Sequence, residues 1–177
     1  MIKIILAIAI AIALQAGLVH ANEKIIHQNW VVDIGDQTTE AYTANDSKSS
    51  FGIFCSGEQC LFYLHQALKC EPGTRYSVLI NSQTVASAVS MECTRIGGNL
   101  FQILDPFNTV LRATQAGETI GFAVALQSGA FAVARFSLDG AKPAIERALI
   151  EAARSKSRAP KSSPPATPPI RPNTIAI

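Results

Sequence analysis

The chain of 177 residues has about the length of one folded domain. Its hydrophobic fraction of 48% excludes a chain that is disordered throughout, and its charged fraction of 16% lies below the usual value of about 25%. This composition indicates a single small domain and disfavours both a multidomain enzyme and a membrane protein with several spans.

The net charge of +2 is distributed unevenly along the chain. Residues 154–177 contain five basic residues and no acidic residue, whereas residues 22–153 contain nine basic and all 13 acidic residues. A mildly acidic body with a basic tail lacks the uniformly positive face of nucleic-acid-binding proteins. We therefore expect no nucleic-acid partner.

Residues 1–21 show the three-part pattern of a secretory signal peptide. Lys3 provides the positive start, an unbroken run of Ile, Leu and Ala follows at 4–14, and a Val-His-Ala sequence ends the segment at Ala21. We expect cleavage after Ala21, with Ala16 as the alternative position. The apolar run is shorter than the about 20 residues of a membrane-spanning helix, so an uncleaved anchor is the less favoured interpretation. The mature chain is expected to be periplasmic or secreted, with no transmembrane span.

Four cysteines predict two disulfide bonds in the oxidising environment outside the cytosol. They allow three pairings, of which we favour Cys55–Cys60 with Cys70–Cys93. Each favoured pair brackets a predicted hairpin, and the first flanks a turn at 56–59, where cross-strand neighbours lie within disulfide distance. The competing interpretation is a redox or metal site. Because the sequence has neither a C-x-x-C motif nor paired zinc-ligand spacing, we predict no metal and no cofactor.

Residues 22–153 are expected to form a small, mainly β domain. Predicted strands cover residues 24–34, 51–55, 60–64, 76–80, 85–93, 100–104, 110–113, 119–126 and 130–138, with a further short strand at 41–43. Their close spacing favours an antiparallel sandwich or barrel over βαβ units. Most of 36–50 is interpreted as a polar loop, and Ser128-Gly129 as a tight turn. Ile25, Ile26 and Trp30 are the expected inward residues of the first strand.

One helix is predicted after the last strand, because apolar residues then recur at helical spacing. Asp139 is the expected N-cap and Pro143 suits the first turn. Ile145 and Leu149 lie on a narrow apolar stripe, which we expect to pack on the sheet rather than on another protein.

The tail at 154–177 is predicted to be disordered and extended, since six of the nine prolines lie there among Ser, Thr and basic residues. One interpretation is a solvated terminus. The other is a tether that binds an anionic component of the cell envelope, and such binding weakens with salt. The candidate binding residues of this tether are Arg154, Lys156, Arg158 and Lys161.

Established catalytic motifs are absent from the sequence. It has no G-x-S-x-G nucleophile elbow, no H-E-x-x-H pair and no Walker A loop. We therefore predict a non-enzymatic binding protein with a protein or an anionic envelope component as partner. The alternative is an exported hydrolase or hydrolase inhibitor, with His65 as the candidate catalytic base.

Aromatic residues in the first half of the domain suit either a core or a binding surface. The set comprises Trp30, Phe51, Phe54, Phe62 and Tyr63. Core packing is favoured because aromatic side chains fill small β domains. A member of the set that is exposed becomes the candidate for ligand binding.

Several short motifs carry a resemblance to a known family. They are the signal peptide, the Trp30-Val-Val opening, the cysteine-bearing strands, and the run from Phe136 to Ala141 that leads into the helix. With these motifs, residues 28–149 resemble the invasion-associated locus B family, which comprises small exported bacterial proteins with a β-rich domain, associated with host-cell entry. The resemblance implies a non-enzymatic envelope or secreted protein. The family's cysteine soon after the opening Trp is replaced here by Asp33 and Ile34, so its cysteine pairing is not carried over.

Overall fold

A computed structural model describes residues 22–66, 70–96, 98–126 and 128–158. Of residues 156–158 it describes the backbone only. Within the described residues lie ten antiparallel strands and two helices. The strands are β1 (Glu23–His27), β2 (Trp30–Ile34), β3 (Thr38–Ala44), β4 (Ser50–Ser56), β5 (Gln59–His65), β6 (Arg75–Asn81), β7 (Ala86–Ile96), β8 (Asn99–Asp105), β9 (Thr119–Ala125) and β10 (Phe131–Ser137). The helices are α1 (Phe107–Ala113) and α2 (Ala141–Arg158). The signal-peptide prediction and Lys161 lie outside the described residues.

All ten strands form one sheet in the order β1-β2-β3-β4-β5-β8-β7-β6-β9-β10. The first five strands follow one another as hairpins, because each connection is a short turn. β8 then pairs with β5, and β7 and β6 continue outwards from it. The sheet curls into a half-barrel, which confirms the mainly β, barrel-like prediction.

The curl brings the second half of β10 to the ends of β1–β4. Here the Trp30 indole N–H donates to the Ser137 carbonyl at 2.9 Å, and the Asn45 side chain donates to the Arg135 carbonyl at 3.2 Å. The Asn29 N–H also donates to the carbonyl of Asp139 at 3.2 Å. Polar contacts therefore join the two ends of the sheet.

The core lies inside the curl, where α2 packs against β2, β3 and β4. Phe51 is at its centre, with ring centroids 5.0–6.0 Å from those of Trp30, Phe62, Phe122 and Phe136. The helix contributes a buried stripe of Ala141, Ala144, Ile145, Ala148 and Ala152, with Leu149 at its margin. This confirms the predicted packing of the helix on the sheet.

Both favoured disulfide bonds are present. Cys55 and Cys60 are register partners of the β4–β5 hairpin, and Cys70 is joined to Cys93 on β7. The chain has no free cysteine. The first hairpin is tighter than expected, since the strands extend to Ser56 and Gln59 and leave two turn residues.

The predicted strand at 110–113 is wrong, because these residues belong to helix α1. Val110 and Ala113 are buried three positions apart, while Phe107 and Leu111 pack beside them. This spacing is that of one helical face, and a window limited to 110–113 is too short to show it.

Two predictions near the N-terminus are wrong in part. The first strand is in fact the β1–β2 hairpin, with a turn at Gln28 (φ 53°), and Ile26 points outwards with 74% of its surface exposed. The predicted short strand at 41–43 extends to the full β3, which takes up seven of the 15 residues of the predicted polar loop and buries Thr39 and Thr43. Threonine at inward positions conceals the alternation of apolar and polar residues that marks a strand.

The residue before α2 is Gly140 rather than the predicted cap Asp139, and its carbonyl accepts the Ala144 N–H at 3.2 Å. Its φ of +86° favours glycine, and a Cβ there would lie 1.9 Å from the His27 carbonyl oxygen. The close approach of the β1–β2 turn to the start of α2 therefore requires glycine.

Candidate binding surfaces on the outer face of the sheet

The predicted tail residues begin within α2. The Arg154 guanidinium donates to a carboxylate oxygen of Glu151 at 2.7 Å, and Arg147 pairs with the same oxygen at 3.0 Å. Lys156 and Arg158 lie in the last turn of the helix, where side chains are not described. The helical part of the chain thus extends past the predicted boundary at Ala153.

His65 lies at the end of β5 and is half-buried, with its ring centroid 5.0 Å from that of Phe101. The described residues contain no group of three or more His, Cys, Asp or Glu side chains that could hold a metal ion. The structure therefore places the aromatic ring of Phe101 against the candidate catalytic base.

The aromatic set divides between the two faces of the sheet. Trp30, Phe51 and Phe62 lie in the core, as predicted. Phe54 and Tyr63 face outwards, because they alternate along their strands with inward residues. Phe54 is half-buried and is the least buried member of the set, but no member is exposed, so none meets the predicted criterion for ligand binding.

Phe54 and Tyr63 line a narrow cleft of about 120 Å³ on the outer face, here called the outer cleft. Its remaining lining residues are Glu40, Leu61, Ile96, Phe101 and Ile103. Its wall is therefore apolar apart from one carboxylate and one phenol. The Tyr63 hydroxyl donates a hydrogen bond to the Glu40 carboxylate. Burial, followed by the negative charge of Glu40, holds the pKa of Tyr63 far above its usual value of 10.0.

A second carboxylate lies next to this cleft. Asp33 on β2 is directly opposite Glu40 on β3, and like charges in this relationship destabilise a sheet. Lys24 pairs with one oxygen of Asp33 at 3.2 Å, and this hydrogen bond raises the pKa of Lys24. The other oxygen, Oδ1, is buried without a hydrogen-bond partner in the described part of the chain. The rim of the outer cleft therefore has excess negative charge.

The second candidate surface is the outer side of β10, whose sole neighbour among the strands of the described residues is β9. Phe131 and Val133 face outwards there and are 58% and 57% exposed. Leu79 on β6 is 50% exposed and lies in the same row as Val133, with Ala123 between them. An apolar patch thus covers the outer face beside the edge of the sheet.

The backbone of β10 presents hydrogen-bonding groups at this edge. Residues of an antiparallel strand direct their N–H and C=O groups alternately to the two sides. The carbonyls of Arg135 and Ser137 point away from β9, since they accept hydrogen bonds from Asn45 and Trp30. By this alternation, Phe131 and Val133 also direct their backbone groups away from β9. The carbonyls of Arg135 and Ser137 are occupied, so within the described part of the chain the free edge comprises Phe131 and Val133.

A hollow of about 810 Å³ adjoins the free edge. Gly121 lies in its floor between Asn81 and Arg135, its register partners on β6 and β10. A Cβ at Gly121 would have its nearest contact at 3.8 Å, so the missing side chain leaves open space. Among the described residues, the Arg135 guanidinium has no ion-pair partner.

The opposite edge of the sheet has a different chemistry. β1 carries Glu23 and Lys24, and charged side chains of this kind discourage strand addition. The first four residues of β10 are Phe-Ala-Val-Ala, which provide neither charge nor proline. This surface was not predicted above, although the sequence contains one signal for it. Phe131 and Val133 are out of phase with the inward Phe136, so one set must face outwards.

No helix of the described residues is long and apolar enough to cross a membrane. The two disulfide bonds are consistent with an oxidising or extracellular compartment. Comparisons with protein-family models, with curated proteins and with solved structures found no match to this chain.

Proposed function

We propose that the protein is an exported, non-enzymatic binding protein of the bacterial periplasm or cell exterior. Its ligand is an extended segment of another protein, which adds to the sheet as a strand beside β10. The signal-peptide pattern and the pair of disulfide bonds support export. The resemblance to exported β-rich proteins agrees with this assignment.

The free edge of β10 is the observation that carries the proposal. Phe131 and Val133 offer two N–H and two C=O groups to an incoming strand. Each hydrogen bond contributes about 0.5–1.5 kcal/mol, and apolar cross-strand pairs with Phe131 and Val133 add about 0.2–1 kcal/mol each. An extended segment with outward apolar side chains satisfies both requirements.

Arg135 favours ligands that carry a negative charge. It follows Phe131 and Val133 on the same outer face, at the point where Asn45 blocks further pairing. A carboxylate side chain on the incoming segment would lie within reach of the guanidinium above the hollow. We therefore expect ligands that combine two alternate apolar residues with an acidic residue at the Arg135 end.

Selection from a displayed peptide library, with the disulfide-bonded mature chain as target, tests this assignment. We expect extended apolar sequences with one acidic residue, and the Val133→Pro variant to bind them at least tenfold more weakly. Proline removes an outward N–H without disturbing the β9 ladder. Val133→Thr, which keeps the backbone donor, is the matched control.

Equal binding by Val133→Pro and the unmodified chain would contradict the proposal. Selected peptides whose affinity depends on Phe54 instead of Phe131 would transfer the function to the outer cleft. Arg135→Gln should reduce binding of the acidic peptides alone, since it removes charge and leaves the free edge intact.

The basic residues at 154–177 support a further contact with anionic envelope material. Arg154 pairs with Glu151, and the remaining four positive charges attract phosphates and carboxylates; Debye screening weakens this attraction at high salt. Binding of the mature chain to anionic vesicles at 50 mM and 500 mM salt measures it. Equal binding to the vesicles at both salt concentrations would contradict this contact of the tail.

A further inference from the structure

We propose that the outer cleft binds the chain's own C-terminal segment, with Arg171 placed against the carboxylates of Glu40 and Asp33. This intramolecular contact is independent of strand addition at β10. It would determine whether the basic segment is available to anionic partners.

The chemistry of the outer cleft defines its occupant. Phe54, Tyr63 and Phe101 form aromatic walls, and Ile96 at the rim is 41% exposed. Grooves lined by aromatic residues are typical binding sites for polyproline helices, whose preformed shape reduces the entropy lost on binding. The cleft thus suits a proline-rich segment.

The negative charge at the outer cleft indicates that its occupant also carries a basic residue. Glu40 and Asp33 face each other across β2 and β3, and Lys24 is the one cation paired with them among the described residues, so these three side chains carry a net charge of −1. The guanidinium of an arginine is planar and binds carboxylates through two hydrogen bonds. An arginine next to proline therefore complements both the walls and the rim.

The chain has such an arginine beyond the described residues. Residues 159–177 contain six prolines, two basic residues and no acidic residue. Arg171 follows Ile170 and precedes Pro172, and Pro169 lies three positions before Pro172. In a polyproline helix, residues three apart lie on the same face, so Pro169 and Pro172 would contact the aromatic walls together.

The length of the segment distinguishes Arg171 from Lys161. α2 lies inside the curl, whereas the cleft is on the outer face, so the segment must pass around the sheet. Polyproline structure extends about 3.1 Å per residue, so Lys161 reaches about 9 Å from Arg158 and Arg171 reaches about 40 Å. A domain of this size is about 37 Å across. Arg171 has about four times the reach of Lys161, so Arg171 is the candidate for the cleft and Lys161 serves as a matched control.

The test is a charge-swap series read by NMR. In the disulfide-bonded mature chain, the methyl signals of Ile96 and Ile103 report on the cleft. We expect Arg171→Gln to shift both signals, and 500 mM salt to shift them in the same direction. Lys161→Gln should leave them unchanged. In Glu40→Gln, which has its own effect on the cleft, adding Arg171→Gln should produce no further shift.

Nuclear Overhauser contacts complete the experiment. We expect contacts from the Ile170 methyl groups or Pro172 to Ile103 or the Phe101 ring within one chain. The proposal is overturned if Arg171→Gln leaves the methyl signals unchanged, or if Lys161→Gln has an equal effect. Contacts found only between a labelled and an unlabelled chain would assign the cleft to a second copy and also overturn it.

Discussion

The indole N–H of Trp30 donates to the backbone carbonyl of Ser137 at 2.9 Å, although the two residues are 107 positions apart. Trp30 begins β2 and Ser137 ends β10, so this bond connects the two ends of the curled sheet. It also occupies the carbonyl that would otherwise extend the free edge of β10. This hydrogen bond helps to close the half-barrel and, together with the Asn45 hydrogen bond to the Arg135 carbonyl, limits the edge to Phe131 and Val133.

We expect Trp30→Phe to destabilise the fold by about 2–4 kcal/mol. The substitution leaves the Ser137 carbonyl without its donor and creates a cavity beside Phe51. Urea unfolding followed by far-UV circular dichroism measures the change. Ser137→Ala is the control, since it retains the carbonyl and removes only the hydroxyl contacts to Asn29 and Asp139, with an expected cost of about 1 kcal/mol. Equal costs would show that the indole hydrogen bond has no special role.

We expect Gly140→Ala to be far more destabilising than Gly129→Ala. Both glycines have φ near +85°, so each substitution incurs the about 1–2 kcal/mol penalty of left-handed backbone. A Cβ at position 129 meets open space, whereas at 140 it meets the His27 carbonyl at 1.9 Å. The added cost should be at least about 2 kcal/mol, measured by thermal and urea unfolding. If both variants lose a similar free energy of unfolding, the β1–β2 turn can move away from a Cβ at position 140 without cost.

The two disulfide bonds should differ in their contribution to stability. Cys70–Cys93 spans 23 positions and Cys55–Cys60 spans five, so the chain-entropy model assigns them about 3 and about 2 kcal/mol. Two double Cys→Ser variants, each lacking one disulfide bond and retaining the other, allow the two contributions to be measured separately by urea unfolding. A larger loss for the Cys55–Cys60 pair would show that packing in the β4–β5 hairpin outweighs loop closure.

Stability should fall at alkaline pH because of Tyr63. Burial and Glu40 raise the pKa of its phenol in the folded state, so the folded chain retains a proton that the unfolded chain loses above pH 10.0. The contribution is complete below that pH and declines by about 1.4 kcal/mol per pH unit above it. Free energies of unfolding at pH 9.0–11.5 should therefore decline less steeply in Tyr63→Phe. Parallel curves for the two proteins would exclude Tyr63 as the source.

Local patterns in the sequence predict much of the fold. Cys55 and Cys60 flank a short turn between apolar runs, and Ile145 with Ala148 repeats at helical spacing, so the hairpin and α2 were predictable. Helix α1 and strand β3 were not, because α1 has seven residues and β3 buries threonine where the alternation requires an apolar residue.

The candidate surfaces were only partly predictable. Phe54 and Tyr63 belong to the predicted aromatic set, but only the register of β4 and β5 separates them from Phe51 and Phe62. The free edge at Phe131 depends on the strand order, which places β10 last in the sheet. Strand order results from long-range pairing that local sequence does not encode.

Amide hydrogen exchange at Phe131 and Val133 tests the proposed function most directly. In the free mature chain, these two amides should exchange at least tenfold faster than those of Ala132 and Ala134, which donate to β9. A saturating library-selected peptide should slow both exchange rates and leave the β1 amides unchanged. Protection of Phe131 and Val133 before ligand is added, or no change after it binds, would contradict strand addition at β10.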